Sequence, residues 1–165
     1  AEVLAQFAQQ GIRVGKLQVS SAVEARFDQL SPDDRLTAME QLAGFDEHRY
    51  LHQTCTRKSD GSINFYQDLG DALKQVDDVA SLEEAWCTHF HVPVYLEKFG
   101  QLHTSQAQIQ ECLLAIRQDP EMTHFEVETY AWSVLPESLQ VEQLADGIAH
   151  ELTWFKSLLD ESNTE

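Results

Sequence analysis

Two short segments of the chain carry side chains that bind metals or move protons. The segment HFH contains His89 and His91, and the segment HFEVETY contains Glu126 and Glu128. Side chains two residues apart in a β-strand project from the same face of that strand. If both segments are strands, each presents two polar groups side by side. Two imidazoles with a nearby carboxylate suit Zn²⁺, Mn²⁺ or Fe²⁺ and leave positions open for water or substrate oxygens.

The elements around these segments alternate between helices and strands. Gly11 is a typical helix stop, Ser31 followed by Pro32 is a strong helix start, and Ser59-Asp60-Gly61 is typical of a hairpin turn. The final predicted helix follows Pro136. Its expected buried stripe consists of Val141, Leu144, Ile148, Leu152, Phe155 and Leu159. The predicted order is helix 1–10, strand 12–21, helix 32–43, hairpin 49–69, helix 69–79, strand 86–96, helix 105–117, strand 124–130 and the final helix. This alternation predicts βαβ units and a parallel sheet, with the hairpin as an insertion outside that sheet.

Each of the three predicted single strands has one apolar and one polar face. The apolar faces contain the pairs Leu17 and Val19, Phe90 and Val92, and Phe125 and Val127. A parallel sheet covered by helices on both sides would be apolar on both faces. A polar inner face is instead expected where strands line the lumen of a (β/α)₈ barrel, whose C-terminal mouth forms the site.

A second interpretation of the polar faces stays open. The two histidines and the two glutamates could form a purely structural network of hydrogen-bonded ion pairs. His52, in the hairpin, is expected to be a surface or packing residue, although its position between two lumen strands keeps it as a candidate ligand. Lys16 is interpreted as a counter-ion of the lumen acids. Tyr130 and Trp132 follow the second glutamate and are expected to wall the mouth.

The composition excludes several classes of protein. The formal net charge of −17 and the lack of a basic patch argue against nucleic acid and anionic membranes as partners. Cys55, Cys87 and Cys112 are odd in number and widely spaced, which matches neither a CxxC motif nor a secreted disulfide framework. We expect reduced thiols in a cytoplasmic protein. No apolar run is long enough to span a bilayer, so no membrane insertion is expected.

Several segments together resemble the C-terminal part of the EboE family of metabolite-traffic proteins. They are GIRVGKLQVSSA, RYLHQ, HFHVPVYLEKFG, THFEVETYAWSVLP and ELTWFKSLL. The family belongs to the xylose-isomerase-like TIM barrels. A complete barrel takes about 250 residues, so the resemblance implies that residues 1–165 form one partial domain. It would hold the last three βα units and a β-hairpin insertion, without the N-terminal half. The chain starts at Ala1 inside a helical pattern, which also suggests an excerpt of something longer.

The resemblance also implies roles for individual residues. His89, His91 and Glu128 fall on metal-ligand positions of the superfamily. Independently of the resemblance, we expect Glu128 and Lys16 to be the catalytic residues. Gln18 stands where the superfamily often has a metal-binding histidine, and the ligands of the fourth and fifth strands are not in this sequence. The expected substrate-binding residues are Gln18, Tyr130 and Trp132.

The function implied by the resemblance is that of a bacterial protein linked to the traffic of secondary-metabolite precursors. We expect a metal-dependent isomerase or epimerase acting on a small metabolite. A non-catalytic metabolite-binding barrel is the alternative, and an endonuclease IV-like DNA repair enzyme is a third, disfavoured by the charge of −17. Unpaired barrel strands invite pairing, so the expected macromolecular partner is the missing barrel half or a second copy.

Overall fold

A computed structural model of the chain describes residues 2–116, 122–128, 131–141 and 143–162. The described part is a mixed α/β fold. Its helices are α1 (Glu2–Gln9), α2 (Pro32–Ala43), α3 (Leu69–Leu73), α4 (Gln106–Ile116) and α5 (Leu144–Ser162). Its strands are β1 (Leu17–Val19), β2 (Ser21–Arg26), β3 (Thr54–Arg57), β4 (Ile63–Tyr66), β5 (Ala85–Val92), β6 (Lys98–Phe99), β7 (Leu102–Thr104) and β8 (Phe125–Val127). Short 3₁₀ turns lie at Phe27–Gln29, Val79–Ser81, Ala131–Val134 and Glu137–Leu139. None of the described helices combines the length and apolar character that a membrane crossing requires.

The strands form two separate sheets. Six strands form one sheet in the order β4-β3-β5-β2-β7-β6, and every neighbouring pair in it is antiparallel. The other sheet is a parallel pair of β1 and β8, with Leu17 opposite Phe125 and Val19 opposite Val127. The predicted parallel pairing of strands is therefore confirmed for β1 and β8, and for no other pair of the described strands.

The prediction that β5 is a parallel neighbour of the other two predicted strands is wrong. β5 pairs antiparallel with β2 on one side and with β3 on the other. The reason lies in residues 21–26, where Ser21, Val23 and Ala25 alternate with half-buried residues and form a strand that the sequence reading overlooked. β2 starts two residues after β1 ends, so the chain passes from one sheet directly into the other. The predicted hairpin is confirmed as β3 and β4, but it extends the large sheet rather than standing apart from it.

A second hairpin, β6 and β7, was not predicted. It turns at Gly100, whose φ of +56° lies in the left-handed region that favours glycine. A Cβ at this position would lie 2.2 Å from the side-chain nitrogen of Gln41. The Gln41 side chain in turn accepts a hydrogen bond of 2.8 Å from the backbone N–H of Gln101. The hairpin is therefore held against α2 by close packing that needs a glycine.

Two hydrophobic clusters form the core. The larger one lies between the six-stranded sheet, α2 and α3, and includes Phe27 and Phe90. The smaller one lies between the parallel pair, α4 and α5, and includes Val19 and Phe155. β5 connects them, because its residue Phe90 belongs to the first cluster while Val94, two residues after the strand, belongs to the second.

The predicted buried stripe of α5 is only partly confirmed. Phe155 is 5% exposed, but Leu144, Ile148 and Leu152 are 55%, 42% and 54% exposed. The helix turns a different face inward, on which Glu151 is buried. One carboxylate oxygen of Glu151 accepts a hydrogen bond of 3.0 Å from the backbone N–H of Val94. This buried polar contact fixes the rotation of α5 against the end of β5, which hydrophobic periodicity alone does not reveal.

Candidate functional site

His89 and His91 lie together at the C-terminal end of β5. Phe90 and Val92 alternate with them and point into the core, so the two imidazoles share the opposite face of the strand. Their Nε2 atoms are 2.9 Å apart, and the two ring planes are inclined at 33°. His89 is exposed, whereas His91 is buried. The predicted side-by-side placement of the two histidines is confirmed.

A hydrogen bond to the backbone sets the protonation of His91. Its Nδ1 atom lies 3.0 Å from the carbonyl oxygen of Glu128. A carbonyl only accepts, so we assign the proton to Nδ1. In the neutral ring the Nε2 lone pair then faces Nε2 of His89, which donates. Burial, and then the neighbouring His89, lower the pKa of His91, while Glu128 opposes this. A neutral imidazole whose Nδ1 carries the proton is the form that binds metals through Nε2.

Glu128 holds this arrangement in place through its backbone. It follows β8, and its N–H donates a 2.8 Å hydrogen bond to the carbonyl of Val19 at the end of β1. The parallel pair thus reaches the histidine pair of the large sheet through Glu128. The predicted proximity of Glu128 to the histidines is therefore present, with the carbonyl rather than the carboxylate as the contacting group. The carboxylate acts at longer range, through its charge on His91.

The predicted lumen residues of β1 and β8 face solvent. Nζ of Lys16 pairs with a carboxylate oxygen of Glu126 at 2.5 Å, with side chains that are 51% and 55% exposed. Gln18, opposite Glu126 in the register, is also exposed. The structure thus brings Lys16 and Gln18 together with Glu126, and not into contact with the histidine pair.

The two aromatic residues expected at the mouth fall in different places. Trp132 is 8% exposed and belongs to the larger core cluster, where its ring packs on Gly147 of α5. Its Nε1–H is buried, and none of the described residues accepts a hydrogen bond from it. Tyr130 lies outside the described residues. Trp132 is thus a core side chain rather than part of an open wall.

His52 is a packing histidine, as expected. It is 2% exposed, and its ring stacks on Phe90 with 4.8 Å between the centroids. Its Nε2 lies 3.4 Å from Glu47, and its Nδ1 lies 3.7 Å from Asp68. Burial lowers the pKa of His52. The negative charges of the nearby Glu47 and Asp68 oppose this shift, and positive charge on His89 adds to it. Its contact with Phe90 places it on the core side of β5, away from the histidine pair.

The histidine pair fits part of a metal site. Two nitrogen ligands at about 2.0–2.1 Å from one ion, with an angle between 90° and tetrahedral, lie about 2.9–3.4 Å apart. The 2.9 Å between the Nε2 atoms matches the lower end of that range. Within the described ranges, however, no group of three or more His, Cys, Asp or Glu side chains is placed to hold an ion. The described residues therefore offer two nitrogen donors here, and a metal site would need further ligands from outside them.

Comparisons of the chain with family models, with curated proteins and with solved structures found no match. The functional assignment therefore depends on the geometry of the site itself.

One groove on the surface lies away from the histidines. It has a volume of about 590 Å³ and is lined by residues that include Lys58, Tyr66, Asp78 and Trp86. His89 and His91 do not line it. Its lining mixes hydroxyl, basic and acidic side chains, whereas the two ring nitrogens of the histidine pair lie 2.9 Å apart, so the pair is the better-defined candidate site.

One feature of this site was not predicted from the sequence. The Glu128 carboxylate was expected beside the imidazoles, but the direct contact is made by the Glu128 carbonyl. A backbone group carries no signal in the sequence. Only the termination of β8 next to the end of β1 places it there.

Proposed function

We propose that the protein binds a divalent transition-metal ion through Nε2 of His89 and Nε2 of His91. The observation that carries this proposal is the 2.9 Å separation of the two nitrogens, together with the Nδ1–H bond from His91 to the Glu128 carbonyl. Metal-binding histidines usually donate their other ring N–H to a carbonyl or carboxylate, which fixes the tautomer and the ring orientation. A purely structural pair does not require that bond.

A small oxygen-rich metabolite is the ligand that we propose for the remaining coordination positions. This follows from the two-ligand donor set, which leaves more of an ion's coordination sphere open than a three-ligand catalytic site does. A bound ion would hold adjacent oxygens and stabilise negative charge on them. The reaction class that we propose is isomerisation or epimerisation, as the resemblance to the EboE family implies. The Glu128 carboxylate, whose charge already acts on His91, is the group proposed to move a proton.

We also propose that the chain folds as part of a TIM barrel of the xylose-isomerase-like type. The parallel pair of β1 and β8 supports it, because its apolar face packs on α4 and α5 while its polar face is uncovered. Among the described strands, β1 and β8 have no further partners. A barrel would continue at these two edges with strands from the missing half or from a second copy.

A second candidate function is the binding of a metabolite without metal. It is favoured by the same two histidines, since the hydrogen bond between their Nε2 atoms already satisfies both groups. In this case the exposed His89 would exchange its bond with His91 for one with the metabolite, and no ion would be needed.

Metal content decides between these two candidates. The protein is dialysed separately against Zn²⁺, Mn²⁺ and Fe²⁺, washed, and analysed by mass spectrometry, beside His89→Ala and His91→Ala. His48→Ala, at an exposed position outside the pair, is the matched control. We expect about one ion per chain in the wild type and control, in line with one two-nitrogen site, and loss of the ion in both pair variants. Equal metal in all four proteins would refute the site, and absence from all four would leave the metal-free candidate.

A further inference from the structure

Cys55 and Cys87 lie directly opposite each other on neighbouring strands. Residue 55 of β3 pairs with residue 87 of β5 in the antiparallel register, and both side chains are exposed on the same face of the sheet. The sequence reading treated them as unrelated reduced thiols because 31 residues separate them. We propose that these two cysteines are a redox modification site, at which a peroxide converts the pair into a reversible disulfide.

The backbone geometry permits the bond. Directly opposite residues of an antiparallel pair have Cα atoms about 4.5–5.5 Å apart. Disulfides span Cα separations of about 4.4–6.8 Å, so the strands need not move apart or slide. The next pair along, Thr54 and Thr88, is in contact across the same two strands, with hydroxyl oxygens 3.1 Å apart. That contact lies on the buried face, which leaves the thiol face open to solvent.

The two thiols have different roles in the reaction. One of the two thiolates displaces hydroxide from hydrogen peroxide and becomes a sulfenic acid. The sulfur of the opposite cysteine then attacks that sulfur and releases water. Two thiols and one peroxide thus give one disulfide and two waters.

The disulfide is expected to be easy to reduce. His89 N–H donates to the carbonyl of Gln53 at 2.8 Å, and the two-residue period of the ladder places Cys55 and Cys87 at the next hydrogen-bonded position. Opposite Cβ atoms are about 4.5–5.5 Å apart, beyond the usual ~3.8 Å of a disulfide. Closing that gap strains the bond, and strained, exposed disulfides are the labile ones.

The test uses the three thiols of the native chain. Hydrogen peroxide is added to folded protein, the remaining thiols are alkylated, and the protein is digested and mapped without reduction. We expect the count of free thiols to fall from three to one, with Cys55 linked to Cys87 and Cys112 alkylated. Dithiothreitol should restore all three. Cys112→Ser, the matched control, should still form the linked peptide.

A variant separates the two steps of the reaction. In Cys87→Ser the second step is blocked, so dimedone should trap a sulfenic acid at Cys55. The proposal is overturned if wild-type Cys55 is oxidised while Cys87 remains alkylatable, or if the disulfide joins Cys112 instead. The wild-type map does not depend on how well any variant folds, so either result is decisive.

Discussion

The six-stranded sheet and the parallel pair bury their apolar faces to different extents. In the large sheet, Val23 and Ala25 of β2 are 0% exposed, and Phe90 of β5 is 2% exposed. In the parallel pair, Val19 is buried, whereas Phe125 on the partner strand is only half-buried. Central strands flanked on both sides lose more surface to their neighbours than two strands that are both edges. The stability of the described fold therefore lies mainly in the antiparallel sheet.

The histidine pair belongs to both regions. β5 of the large sheet supplies both imidazoles, and the parallel pair supplies the Glu128 carbonyl that orients one of them. The more buried sheet thus carries the two imidazoles, while the less buried parallel pair fixes the ring orientation of His91. We therefore expect substitutions in and around the large sheet to lower the free energy of unfolding most, and those on the parallel pair to lower it least.

The largest effect is expected for Phe27→Ala. Phe27 is fully buried at the end of β2, edge-on to Trp86 at a centroid distance of 5.7 Å. Truncating a buried phenylalanine costs about 3–5 kcal/mol of unfolding free energy, measurable by urea denaturation. The half-buried Phe125 provides the comparison, and Phe125→Ala should cost clearly less. Equal losses would show that the parallel pair is as well buried as the large sheet.

A smaller effect is expected for Gly147→Ala in α5. A Cβ there would lie 2.5 Å from Cη2 of Trp132, so the ring or the helix must move. Overpacking of this kind costs about 1–3 kcal/mol, against the gain in helix propensity of about 1 kcal/mol. Gly15→Ala is the control, since its Cβ would meet nothing within 4 Å. A neutral Gly147→Ala would mean that α5 is loosely docked on the larger cluster.

The pH dependence of stability should show the buried His52. Burial lowers its pKa below the 6.5 of the unfolded chain, so the unfolded state binds the proton more tightly. This contribution to stability is present above pH 6.5 and is lost as the pH falls toward the folded-state pKa. Unfolding free energies from urea denaturation, plotted against pH over this range, should have a shallower slope for His52→Gln than for the wild type. An unchanged slope would mean that His52 titrates alike in both states.

The smallest change in the free energy of unfolding is expected for Lys16→Ala, beside the parallel pair. Lys16 and its partner Glu126 are both more than half exposed, at 51% and 55%. Exposed ion pairs of this kind contribute about 0–1 kcal/mol and weaken in salt. A double-mutant cycle with Glu126→Gln measures the coupling. A coupling well above that range would indicate that another chain covers this face.

The sequence predicts where helices and strands lie better than it predicts which strands pair with each other. Ser31 caps α2 as expected, accepting a hydrogen bond from the N–H of Asp34, because capping depends on neighbours in sequence. The alternation of β5 was also predicted. Its antiparallel pairing was not, since register depends on where β2 and β3 meet it. The same limit applies to the site: adjacent histidines were visible in the sequence, and the carbonyl that orients one of them was not.

The most direct test of the proposed metal site is a ¹⁵N NMR spectrum of the histidine side chains with and without Zn²⁺. The structure predicts that Nε2 of both His89 and His91 changes shift on adding zinc, while Nδ1 of His91 stays protonated on the Glu128 carbonyl. Spectra assigned with His89→Ala and His91→Ala identify the two rings. Unchanged Nε2 shifts at both histidines in saturating zinc would contradict the assignment of this pair as a metal site.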